Sequence, residues 1–222
     1  MKLFKKKKIN ILDTTLRDGS YTIDYQFSFN DTQLIAYGLE QSSVEYIEIG
    51  HGLGLGGGKV NQQSVISDLQ YMKACNSILT KSKFGFFCIP NIAKISDLKK
   101  LKDNGGSFVR LGVEKDKIKD CYKFIDYSNK IGIDIWLNFM KTHSYSFDEF
   151  YEIIKKFSNY NFKGIYIVDS AGSMLPNDVK KYMDTLLAIK NETNFISNIG
   201  FHGHDNLLLS SACSLMAAQN GA

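Results

Sequence analysis

Apolar runs and helical stretches alternate seven times along this chain, and no linker or low-complexity block interrupts them. The apolar runs are 9–15, 44–50, 83–89, 107–113, 132–139, 163–169 and 198–204. Most are near-continuous and rich in β-branched or aromatic residues, the pattern of strands buried on both faces. Helical spacing fills 30–42, 61–79, 95–103, 116–130, 147–159, 177–190 and 206–220. Asn30 reads as an N-cap and Pro176 suits a first helical turn. Gly105, Gly106, Gly132 and Gly164 stand where helices should stop before the next strand.

Repeated βα units with short connections dictate a parallel sheet, either doubly wound or closed as a TIM (β/α)8 barrel. The polar residues select the barrel. Asp18, Glu48, His51, Asn91, Asn138, Asp169, His202 and His204 recur at the predicted carboxyl ends of strands, the face where barrels place their chemistry. Seven βα units are visible and the eighth strand is missing, so the expectation is a C-terminally incomplete barrel over 9–222, preceded by a basic tail at 1–8.

Composition narrows the function classes. The 222 residues are 44% hydrophobic and 23% charged, enough for one sizeable core. No run approaches the roughly 20 apolar residues of a membrane helix. The net charge is +4, but five lysines lie in the first eight residues, and without them the body stands at −1. Neither a nucleic-acid footprint nor a membrane anchor is indicated. Cys75, Cys88, Cys121 and Cys213 are widely spaced without a Cys-x-x-Cys pair. Free buried thiols in a reducing cytoplasm are expected.

The chemistry gathers in two short pieces far apart in sequence. Thr15-Leu16-Arg17-Asp18-Gly19 ends the first predicted strand, and Gly200-Phe201-His202-Gly203-His204 ends the seventh. Residues two apart on a strand share a side, so His202 and His204 aim at one point. In a barrel, strands 1 and 7 both flank strand 8, and Asp18 adds an oxygen ligand. Imidazole and carboxylate without thiolate suit Mg²⁺, Mn²⁺, Co²⁺ or Zn²⁺. Arg17 can hold a developing enolate oxygen or pair with Glu48, and the two roles are compatible. Gly52, Gly54 and Gly57 match G-x-G-x-x-G, but no ribose-binding acid follows the next strand, so a flexible active-site loop is preferred to a dinucleotide site. Asp169 is a partner behind the metal ligands, a substrate contact or a turn cap. His143 faces substrate or lies in a surface loop.

These pieces resemble the pyruvate-aldolase branch of the HMG-CoA-lyase-like (DRE-TIM) metalloenzymes. The resemblance rests on Thr14 to Gly19, Tyr46 to Gly52, Pro90 to Ala93, Asn138 to Ser144, Val168 to Gly172 and His202 to Asn206. It implies a divalent cation, Mn²⁺ or Mg²⁺ foremost, on Asp18, His202 and His204. It also implies Arg17 at the keto or enolate oxygen, Glu48 in support, and Asn138, His143 and Asp169 near the substrate. The implied reaction is cleavage or formation of a 4-hydroxy-2-oxo acid from pyruvate and an aldehyde. Two departures stand out. The family's base, a histidine three residues after the metal aspartate, is replaced by Tyr21, whose ordinary pKa near 10 makes a poor base at neutral pH. His51, His143 or water must then serve. The region that pairs these aldolases with an aldehyde dehydrogenase is also absent, so that partnership is not expected; a homo-oligomer is compatible. A Claisen-type acyl-CoA synthase is the first alternative, disfavoured because Ser20-Tyr21 replaces that branch's Glu-Gln. A catalytically silent binding protein is the second.

Overall fold

In the computed structural model, residues 9–60, 62–193 and 195–222 are described. The basic tail expected at 1–8 lies outside them. Seven strands alternate with seven helices: β1 Leu12–Asp13, α1 Phe29–Gln41, β2 Tyr46–Ile49, α2 Asp68–Ile78, β3 Lys83–Cys88, α3 Ile95–Asp103, β4 Phe108–Val113, α4 Ile118–Ile131, β5 Asp134–Phe139, α5 Phe147–Lys155, β6 Gly164–Asp169, α6 Pro176–Thr193, β7 Asn198–Gly203 and α7 Ser210–Gln219. The strands form one sheet in the order β1 to β7. Each registered pair is parallel, as βα units require. This is TIM-barrel architecture with no eighth strand among the described residues. No helix there is long and apolar enough to cross a membrane. All four cysteines are buried thiols outside any disulfide.

The chain divides into two compact units. One comprises residues 10–112 and 123–135. Its core is built from strand residues Ile47, Ile49, Phe84, Phe86, Val109 and Leu111, with Leu16, Leu98 and Leu101. Its helices α1 and α2 each begin with a reciprocal capping box, from Ser28 with Asp31 and from Ser67 with Gln70. Ser28, not Asn30, is therefore the N-cap of α1, because its hydroxyl reaches the Asp31 amide. The helix expected from residue 61 begins only at Asp68. Gly105 (φ 88°) and Gly132 (φ 70°) end α3 and α4 in left-handed conformations, whereas Gly164 opens β6.

The other unit comprises, among the described residues, 9, 113–122, 136–193 and 195–222. Phe139 at the end of β5 packs edge-on against Phe150 and Phe157 of the α5 region, at 5.4 and 6.0 Å. Ile165 and Ile167 of β6 and Val179, Met183 and Leu186 of α6 complete this core. The seventh helix begins at Ser210, four residues later than the spacing predicts.

Candidate metal centre

The first strand is shorter than expected, and this places Asp18. The Asp13 carboxylate accepts the Thr15 amide at 2.9 Å. The Thr14 carbonyl then accepts the amides of Arg17, Asp18 and Gly19 at 3.0, 2.7 and 3.2 Å. The backbone is pulled out of the ladder after Asp13, so Asp18 opens a 3-10 turn, Asp18–Ile23, instead of ending a strand. Arg17 Nη1 donates to Asp18 Oδ1 at 2.8 Å.

Within the same unit, Arg17 Nε donates to Glu48 Oε1 at 2.5 Å. Arg110 takes Glu48 from the other side, with Nε to Oε2 and Nη2 to Oε1 both at 2.6 Å. The Glu48 and Arg110 side chains are completely buried. Burial pushes the Glu48 carboxyl up, but Arg110 and then Arg17 outweigh it and hold the group at about 2. Arg110 is the site residue that the sequence reading missed.

The glycine segment, expected as a flexible loop, is closely packed. His51 stacks on Tyr25 with ring centroids 3.9 Å apart. Its Nδ1 accepts the Leu53 amide at 3.0 Å, so Nε2 carries the proton and donates to the Gln62 carbonyl at 3.0 Å. Desolvation lowers the His51 pKa. Gly54, at φ 79°, brings the backbone so close to β3 that a Cβ would lie 2.1 Å from the Phe87 carbonyl oxygen. Tyr21, partly exposed, meets Tyr25 edge-on at 5.3 Å. Burial, and then Tyr25, raise its pKa further from neutrality.

In the other unit, β7 carries His202, and His204 follows it directly, with ring centroids 4.8 Å apart. His204 Nδ1 lies 2.7 Å from the Asp169 carbonyl oxygen. A carbonyl only accepts, so Nδ1 bears the proton and the lone pair sits on Nε2, the arrangement of a metal-ligating histidine held by an outer oxygen. The Asp169 carboxylate accepts the Ser173 and Met174 amides at 3.1 and 2.9 Å, which is the turn-capping alternative. Asn138 is buried on β5. His143 is exposed in the short turn Thr142–Ser144.

Asp18 in the first unit and His202 and His204 in the second each offer one atom able to ligate a metal ion. One carboxylate oxygen and two imidazoles fit a divalent cation and leave coordination positions for water or substrate.

The HMGL-like family model matches residues 8–222. A 4-hydroxy-2-oxovalerate aldolase from Moorella thermoacetica is 34% identical over 218 residues, covering 97% of this chain and 63% of the relative. An oxaloacetate decarboxylase from Mycobacterium tuberculosis is 28% identical over 212 residues, covering 96% and 61%. The chain thus spans less than two thirds of the length of these relatives. The carboxyl transferase domain of Rhizobium etli pyruvate carboxylase shares the fold, with a TM-score of 0.79 at 14% identity over 98% of this chain and 39% of that one. The chain belongs to the HMGL-like family.

Proposed function

We propose that this protein is a divalent-metal-dependent carbon–carbon lyase of 2-oxo acids, cleaving or forming a 4-hydroxy-2-oxo acid from pyruvate and an aldehyde. The reading rests on the oxygen-and-imidazole donor set of Asp18, His202 and His204 in an HMGL-like chain. Two relatives, an aldolase and a decarboxylase, are both named for oxo-acid chemistry.

In this reading Asp18, His202 and His204 hold Mn²⁺ or Mg²⁺. When bound, the cation supplies Lewis-acid polarisation of the 2-oxo acid. Arg17 presents its guanidinium to the oxygen on which negative charge develops. Glu48 fixes Arg17 in place. Asn138 lines the substrate position, and Asp169 holds His204 through its carbonyl. Tyr21 donates a hydrogen bond. The chain has four histidines. Two belong to the donor set, and His51 has both ring nitrogens engaged, which leaves His143 as the one histidine for the base role, with water as the alternative. The four buried thiols fit a cytoplasmic setting.

The test is a Mn²⁺ titration of the purified protein, followed by exchange of pyruvate C3 protons into deuterated water. Saturable binding, metal-dependent exchange and loss of both in His202→Ala are expected. Unchanged Mn²⁺ affinity in that variant sinks the donor set. Binding without exchange selects the second reading, a silent binding protein, which the tyrosine at position 21 favours.

A further inference from the structure

The chain has 27 lysines and arginines, and only two of them, Arg17 and Arg110, are arginines. Both converge on Glu48. Wherever else this sequence needs positive charge, it places lysine. A lysine ammonium is a point charge that loses its proton readily when buried, whereas a guanidinium stays charged and presents a planar fork. The fork is therefore what this place requires.

Arg110 neutralises Glu48, and Arg17 has a second counter-charge in Asp18, so the two guanidiniums and two carboxylates balance. Charge balance does not set the direction in which Arg17 points; geometry does. Arg110 uses two donors on both carboxylate oxygens, which fixes the plane of the carboxylate. Oε1 is then directed at Arg17 Nε. Phe87 offers its ring to both guanidinium groups, at 5.0 Å for Arg17 and 5.9 Å for Arg110. Arg17 in turn reaches Asp18 through Nη1.

We propose that Arg110 is a positioning residue which, through Glu48, sets the direction in which Arg17 presents its guanidinium. Its importance for turnover rests on the oxo-acid reading above; its effect on Arg17 does not.

Two arginines give two side-chain Nε–H signals in a ¹H–¹⁵N correlation spectrum, so the effect can be read without activity. In the wild type, both are expected to exchange slowly with water. Arg110→Lys removes one signal. The remaining Arg17 signal should shift and exchange faster by about ten-fold or more, as befits a loosened charged hydrogen bond. An Arg17 signal unchanged in position and exchange rate overturns the proposal. Arg17→Lys, a more peripheral change, should leave the Arg110 signal in place, because Arg110 holds Glu48 by two bonds of its own; loss of that signal overturns the stated direction of control. In the pyruvate exchange assay, Arg110→Lys should lower kcat by about ten-fold with KM little changed. A wild type that exchanges no pyruvate protons counts against the proposed function, while the spectroscopic result still judges Arg110.

Discussion

Asp169 serves His204 with its main chain and the following turn with its side chain. Its carbonyl oxygen lies 2.7 Å from His204 Nδ1, while its carboxylate takes the amides of Ser173 and Met174. The turn also packs closely on the segment after β7. A Cβ at Gly172 would lie 2.7 Å from the Asn206 amide nitrogen, and Asn206 donates to the Ala171 carbonyl at 2.6 Å.

Asp169→Ala is therefore expected to weaken Mn²⁺ binding without removing a ligand. The turn loses the carboxylate that accepts its Ser173 and Met174 amides, and the carbonyl that orients His204 drifts. Loss of such an outer oxygen costs about 10–100-fold in metal affinity. Calorimetric titration checks this; affinity equal to the wild type would show that the turn does not hold His204.

Position 21 tests the base assignment. Tyr21→His should raise oxo-acid cleavage near neutral pH, since a histidine titrates there and this phenol does not. His143→Gln should lower kcat by about 10²-fold or more, the range for losing a general base. A Tyr21→His variant slower than the wild type, with normal Mn²⁺ binding, would assign the phenol a direct role.

Acid should uncover a contribution from Glu40. Its carboxylate accepts the amides of Thr80, Lys81 and Ser82 at 2.8, 2.7 and 2.9 Å. The Ser82 and Lys81 amides lead in lowering its pKa to about 2. The folded value lies below the unfolded one, near 4.3, so the stabilisation is full above the unfolded value and is lost as pH falls through about 2. The Tm gap between wild type and Glu40→Gln should stay constant from pH 7 to about 5 and narrow below that. Titration of Glu48 and His51 occurs in both proteins and cancels in the difference. A gap independent of pH down to about 2.5 would contradict the bonding seen for Glu40.

The order and number of strands were legible because buried parallel strands leave long apolar runs between helical spacings. Where side chains compete with the ladder, the sequence misled. Asp13 and Thr14 capture amides and cut β1 to two residues, so Asp18 reaches its place on a 3-10 turn. The glycines after His51 suggested mobility, yet Gly54 is there for close approach to Phe87. Arg110 was hidden in the apolar run Phe108–Val113, where one basic residue reads as noise. Its rarity was the available signal, because a chain so rich in lysine had only two guanidinium groups to place.

Gly85 lies opposite Glu48 in the ladder and opposite Phe108 on its other side. A methyl group there would lie 2.2 Å from the Phe108 carbonyl oxygen and 2.6 Å from its ring. The blank position lets Tyr46 and Phe108 meet edge-on at 5.7 Å across the intervening strand. One row further along the same face, Arg110 spans the same strand to Glu48. A sheet ordinarily confines each side chain to its nearest neighbours; here a missing side chain makes strands two apart into neighbours. Natural variants should therefore keep residue 85 vacant even where they alter the loops around the ligands, and a bulkier residue there would be felt first as a disturbance between β2 and β4.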